Sequence, residues 1–169
     1  MSVVLSSFKT YCADLETAAD LYARVWNRDY ETTRLTFIEY VSFPHFCGWL
    51  AWLGDEPIGF ALGTESRAGQ WWHDCVSERV GTFHPALYGA FVLTELAVLA
   101  PYRSGGVGKR LHDTILSNQP LPRALLSTMV SNHGALRFYH RLGWQVLHPG
   151  FAFFEGGEPY TILHRNLRT

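Results

Sequence analysis

The stretch Leu93–Leu116, LTELAVLAPYRSGGVGKRLHDTIL, reads as a strand, a glycine-rich turn and a helix. Leu93, Leu96, Val98 and Leu99 form a short apolar run, and Pro101, which has no amide hydrogen to give to a sheet ladder, ends it. Three glycines then fall within four positions, Gly105, Gly106 and Gly108, and remove the side chains that would hold another molecule away from the backbone. From Val107 the period changes: Val107, Leu111 and Ile115 are spaced by four, which puts one apolar stripe on a helix. The turn therefore opens a helix, whose first amides and positive dipole end suit a phosphate group. Arg103 and Lys109 add positive charge. Glycine content alone is equally consistent with a plain tight connection.

Two phosphate loops are excluded. A nucleoside-triphosphate loop needs Ser or Thr after Gly-Lys, where Arg110 stands, and the dinucleotide fingerprint needs a glycine where Arg110 or Leu111 stands. What remains resembles the acyl-CoA loop of the GNAT N-acetyltransferase superfamily: Arg or Gln, two residues, Gly, one residue, then Gly or Ala. Arg103, Gly106 and Gly108 fit it, and Leu96-Ala97-Val98-Leu99-Ala100-Pro101-Tyr102 looks like the strand and turn that lead into it. A second signature of the family follows in Asn132, Ala135, Phe138, Tyr139, Gly143 and Trp144. The close match covers Leu93–Leu147. The resemblance implies one domain over residues 1–169 of α/β (α+β) type. It would hold a central mixed, mostly antiparallel sheet of about six to seven strands flanked by about four helices.

Composition agrees with a globular chain. Hydrophobic residues make up 47% and charged residues 17%, so the chain is neither disordered nor membrane-embedded, and a formal charge of −1 gives no footprint for nucleic acid. Cys12, Cys47 and Cys75 are scattered without CxxC spacing, so neither a disulfide framework nor a metal site is indicated, and reduced cytoplasmic thiols fit best. Residues 1–10 have no basic start or long apolar run, and no segment is suited to span a membrane.

Around the central stretch the periodicity predicts a strand over Val3–Phe8 and a helix over Cys12–Asn27 carrying Leu15, Ala18, Ala19, Tyr22, Val25 and Trp26. A second helix, capped by Thr32 or Thr33, carries Leu35, Ile38 and Val41 on one face and ends before Pro44. Phe46–Leu53 and Pro57–Thr64, separated by Gly54-Asp55-Glu56, read as a hairpin. Arg123–Met129 is a further strand, and Asn132 caps a helix that Gly143 ends. Trp144–Leu147 and Tyr160–Leu167 are strands, with Phe151–Phe154 pairing to the last. An inserted segment, 65–88, is dense in aromatic residues. Either it packs on the protein or on a second subunit in a homodimer, or it forms the acceptor pocket. In the latter case Trp71 and Trp72 hold an apolar or cationic acceptor, and Asp74 or Glu78 pairs an ammonium.

The resemblance implies acetyl transfer from acetyl-CoA, as co-substrate, to a primary amine by direct attack in a ternary complex. The acceptor would be a small-molecule amine, an aminoglycoside-like antibiotic, an amino-acid derivative or a peptide amine such as a protein N-terminus. Releasing the proton of an alkylammonium at neutral pH costs about 4 kcal/mol, so a positioned base is useful. Glu95, a lone carboxylate in an apolar strand, is the candidate, and the alternative is that it only orients the acceptor. Tyr139 matches the family position whose hydroxyl reaches the CoA sulfur, where it would protonate the departing thiolate; otherwise it is a core tyrosine. By the same resemblance Leu96, Ala97, Val98, Arg103, Ser104, Gly105, Gly106, Val107, Gly108, Lys109, Asn132 and Tyr139 contact the CoA, with amides near Val98 polarising the acyl carbonyl. Asn132 is equally a simple helix cap. His73, His84, His133 and His140 receive no role, and no Gly-x-Ser-x-Gly elbow or metal-binding His-x-x-x-His helix occurs. Rival readings are a CoA-binding sensor or structural protein without turnover, and an acetyltransferase acting on aminoacyl-tRNA. The near-neutral charge and the scarcity of lysine, Lys9 and Lys109 alone, oppose the second.

Overall fold

The computed structural model describes residues 2–168; Met1 and Thr169, the ends of the expected domain, lie outside the described residues. The elements follow in the order β1 (Val3–Phe8), α1 (Ala13–Trp26), α2 (Tyr30–Val41), β2 (Cys47–Leu53), β3 (Glu56–Glu65), α3 (Trp71–Val80), β4 (Ala90–Val98), α4 (Val107–Ser117), β5 (Arg123–Met129), α5 (His133–Arg141), β6 (Gln145–Ala152) and β7 (Pro159–Asn166). Short 3-10 turns at Pro85–Leu87 and Ala100–Tyr102 flank β4. The strands form a seven-stranded mixed sheet in the order β1-β2-β3-β4-β5-β7-β6. β4 and β5 pair in parallel, while β1 with β2, β2 with β3, β5 with β7 and β6 with β7 are antiparallel. The strand number and mixed character are those expected. The helix beyond the expected four is α3, inside the segment read as an insert. Among the described residues no helix is long and apolar enough to cross a membrane.

The chain divides into two compact units, one running to Glu65 and including Leu93–Gln119, the other formed by Ser66–Val92 and the chain from Pro120 on. In the first, Phe8, Leu15, Ala18, Ala19, Leu21, Phe37, Phe46, Leu50, Phe60, Leu62, Ala97 and Leu99 form the core. Each large member buried contributes about 1.5–3 kcal/mol. The β2–β3 hairpin turns on Gly54 and Asp55, with Leu53 opposite Glu56 and the positive φ of 61° at Gly54, as a two-residue turn with glycine in its first central position requires. β3 approaches β4 closely at Gly59, where a Cβ would meet the Ala97 carbonyl oxygen at 2.9 Å. Only glycine lets the backbones come this near.

Two expectations for α2 are corrected. Its cap is Asp29, whose carboxylate accepts the Thr32 amide at 2.8 Å and the Thr32 hydroxyl at 2.8 Å, while the Thr33 hydroxyl is already inside the helix, donating to the Asp29 carbonyl. The buried face is centred on Thr33 and Phe37, with Ile38 and Val41 partly buried against the core as expected, while Leu35 is 60% exposed. The ring of Phe37 sets the rotation, since it packs against Tyr22, Tyr40 and Phe60 at centroid distances of 5.6–5.9 Å, and one large ring buries more area than the Leu35 stripe.

In the second unit Val76, Ala86, Leu87, Ala90, Val92, Leu125, Phe151 and Ile162 make the core. The pieces expected as Trp144–Leu147 and Phe151–Phe154 are parts of one strand, β6, whose register against β7 shifts on both sides of His148. Pro149, lacking an amide hydrogen, accounts for the second interruption. Gly143, at φ 84°, ends α5 as expected.

Candidate active site

A strand alternates its faces, so Glu95 shares a face with Ala97 and Leu99, two residues of the core beneath α1 and α2. The carboxyl is therefore directed at helices, and it lines a cavity of about 250 Å3 with Tyr22, Arg28, Asp29, Thr32, Thr33, Thr36, Phe37 and Tyr40. Desolvation there raises the pKa of Glu95 to about 8, because burial disfavours the charged form. Burial also pushes the Tyr40 phenol up, with the Glu95 charge adding to the effect, so Tyr40 stays protonated. Asp29, by contrast, is held below the usual carboxylate range by its bonds from Thr32, and it is ionised beside Arg28 at the cavity's rim.

Immediately after β4 the turn is fixed from several sides. Leu99 donates its amide to the Ile58 carbonyl at 2.9 Å, Tyr102 its hydroxyl to Glu56 at 2.7 Å, and Arg103 its Nε to the Val98 carbonyl at 2.9 Å. Ser104 and Gly106 take positive φ, 66° and 81°, and a Cβ at Gly106 would meet no atom within 4 Å. The space over the α4 N-terminus is thus open. The first helical bond of α4 runs from the Arg110 amide to the Gly106 carbonyl, and the amides of Val107, Gly108 and Lys109 precede it without intrahelical acceptors. Val107, Leu111 and Ile115 are buried as expected. Lys109 is paired with Asp113, and Arg110 donates to the Val3 carbonyl.

In the second unit Asn132 caps α5, its Oδ1 accepting from the Ala135 amide at 3.1 Å. Tyr139 is buried, with Phe138 and Trp144 edge-on to its ring at 5.1 and 5.8 Å. The motif from Asn132 to Trp144 is thereby one capped helix with its terminating glycine.

The family model described as "Acetyltransferase (GNAT) family" matches residues 13–144. The chain belongs to that family. Its fold agrees with solved structures of low identity. Aminoglycoside 6'-acetyltransferase type Ii matches with a TM-score of 0.71 at 17% identity, over 98% of each chain. An aminoglycoside 6'-N-acetyltransferase complexed with coenzyme A matches with 0.69 at 15%, over 98% of each. The ribosomal-protein-S18-alanine N-acetyltransferase from Escherichia coli gives 0.66 at 14%, over 98% of this chain and 96% of that one. A comparison with curated proteins finds no match. Membership of the GNAT family carries acetyl transfer in general.

Within this GNAT chain, Glu95 and the loop from Arg103 to Lys109 belong to the first unit, and Asn132, Tyr139 and α3 to the second. The α3 candidates are largely occupied with fastening that helix. Trp72 donates its indole N–H to the Ser127 hydroxyl at 3.0 Å, and Asp74 accepts the Gly69 amide at 3.0 Å. Trp71 stacks on Phe154 at 5.3 Å yet is 54% exposed, and Glu78 is exposed. His73, given no role, is buried against the Ser66 hydroxyl at 2.7 Å, and burial lowers its pKa. Among the described residues no cluster of His, Cys, Asp or Glu could hold a metal ion.

The residues that line the cavity with Glu95 are distant from it in sequence. Tyr22 stands in the sequence pattern only as part of the first helix's stripe, and Asp29, Thr36, Phe37 and Tyr40 have no place in it, although Thr33, Phe37 and Tyr40 recur at four and three, the spacing of one helix face. That pattern, set against a lone carboxylate two residues from the core position Ala97, was the available signal.

Proposed function

We propose that the chain, working as a single GNAT domain, transfers an acetyl group from acetyl-CoA to a primary amine by direct attack in a ternary complex. Glu95 is the base and Tyr139 the acid. The observation that carries the reading is the Glu95 carboxyl in its helix-covered cavity, with a pKa near 8. A base in that range accepts a proton from an alkylammonium far more readily than an ordinary carboxylate does, and it still ionises at working pH.

Acyl-CoA suits the residues present because the Gly106 turn leaves open space before the α4 amides, so a diphosphate can approach the backbone. Bound acetyl-CoA supplies an activated thioester. Ser104, Gly105, Gly106, Val107, Gly108 and Lys109 hold its diphosphate in this reading, and Arg103, tied to the Val98 carbonyl, braces the loop. The backbone of Leu96, Ala97 and Val98 lines the pantetheine arm, with an amide near Val98 polarising the carbonyl. Asn132 donates to the arm from the amide nitrogen that its cap leaves over. Tyr139 gives its phenolic proton to the departing thiolate, and Glu95 takes one from the attacking amine. A second reading, in which the acceptor meets Trp71 and Glu78 of α3, is favoured by the exposure of both side chains.

The test is the pH dependence of kcat/KM, followed by release of free thiol. The intact protein should gain activity as pH rises through about 8. Glu95→Gln should lower the neutral rate about 10²- to 10⁴-fold and abolish that limb. Near-normal turnover of the variant at pH 7 overturns the assignment of the base, and CoA binding without transfer to any amine overturns the enzyme reading in favour of a sensor.

A further inference from the structure

We propose that the acceptor is a small monoamine with an aromatic body, an arylalkylamine, and that polycations such as polyamines and aminoglycosides are disfavoured. This rests on the reading of the Glu95 cavity as the amine site. Three features of that cavity point the same way.

The first is size. Pockets that enclose drug-sized ligands are about 300–1,000 Å3, and this one, at about 250 Å3, is filled by one ring on a short chain. Of a multi-ring sugar only the ring that carries the amine fits within that volume, and the others stay outside it. The second is the wall. Tyr22 and Phe37 meet nearly edge to face, at 5.6 Å and 66°, and Phe37 meets Tyr40 at 5.9 Å. A ring added to such a cluster gains further tilted contacts, while the attached ammonium, leading toward Glu95, passes tyrosine rings that attract cations.

The third is charge and hydrogen bonding. Of the two carboxyls lining the cavity, Glu95 is mostly neutral at pH 7. Asp29 is ionised but sits beside Arg28. Their sum gives no negative field to gather several ammonium groups. The Thr33 and Thr36 hydroxyls donate to the Asp29 and Thr32 carbonyls at 2.8 and 3.0 Å, so neither has a hydrogen left for a sugar oxygen.

The experiment compares kcat/KM at saturating acetyl-CoA and pH 8 for 2-phenylethylamine, n-butylamine, spermidine and kanamycin, with free thiol as the readout. 2-Phenylethylamine should exceed n-butylamine by about tenfold or more, as differences in apolar groups within a pocket do, and should exceed both polycations. Thr36→Leu, which fills the cavity from a good helix former, should raise the KM for 2-phenylethylamine with the KM for acetyl-CoA unmoved. Thr36→Ala, which widens it, should lower the KM for the larger tryptamine. Equal use of n-butylamine, preference for spermidine or kanamycin, or 2-phenylethylamine kinetics unmoved in both Thr36 variants overturns the substrate class. In those cases the Glu95 reading stands if Glu95→Gln still abolishes acetylation of the amine that is used. Acetylation of no amine by the intact protein overturns both.

Discussion

Glu95→Gln should change stability as well as rate, because a carboxyl displaced upward by burial costs the native state free energy whenever it ionises. The unfolded chain ionises this glutamate near 4.5 and the folded chain near 8. Between those values the native state holds a proton that the unfolded state has released, so stability falls as pH rises through that window. The sign is opposite to that of a salt-bridged carboxylate. The interval bounds the loss at about 5 kcal/mol, at about 1.4 kcal/mol per unit. Glu95 retains partial exposure, and solvent screening reduces the expected loss to roughly half of that bound. Glutamine keeps the shape and the polar head but never ionises, so the variant should match the intact protein near pH 5 and exceed it by about 2–3 kcal/mol at pH 9. Urea unfolding at pH 5, 7 and 9 measures this as a midpoint shift at constant slope. A difference between the two proteins that is the same at all three pH values would refute the argument, since it means that the carboxyl titrates normally in the folded state.

The remaining predictions concern other parts of the same machinery. Gly106→Val forces a β-branched residue to a φ of 81°, which costs about 1–3 kcal/mol; calorimetry should record weakened acetyl-CoA binding, and unchanged affinity would remove the turn from the site. Tyr139→Phe deletes one oxygen from a buried ring, so kcat should fall far more than acetyl-CoA affinity, and equal losses would leave only a binding role. Gly59→Ala drives a methyl to 2.9 Å from the Ala97 carbonyl oxygen and should destabilise by about 1–3 kcal/mol, read as a lowered denaturation midpoint. Trp71→Ala removes the exposed stacked ring of α3: raised acceptor KM supports the α3 reading, whereas a changed elution volume on sizing columns with unmoved kinetics makes this surface an interface between copies.

The strand, glycine-rich turn and helix from β4 to α4 were legible in the sequence because each of their determinants is local. Pro101 ends a strand, Gly106 adopts a conformation that glycine tolerates best, and the Val107–Leu111–Ile115 stripe is set by helical period, so no distant residue is needed to read them. The rotation of α2 was not legible in this way. Of its apolar residues Leu35, Ile38 and Val41, the last two pack partly buried at the edge of the core and only Leu35 is left exposed, because the helix is centred on Phe37, which finds Tyr22 on α1 and Phe60 on β3, contacts that exist only once three separated segments have met. The Glu95 cavity depends on that rotation. With Leu35 inward, the helix would offer Glu95 an aliphatic wall; with Phe37 inward, Thr33, Thr36 and Tyr40 come with it, and the carboxyl lies among aromatic rings and already-committed hydroxyls. An isolated glutamate in an apolar strand therefore announces a perturbed proton equilibrium from sequence alone, whereas the chemistry able to share that proton is decided by which ring wins the core.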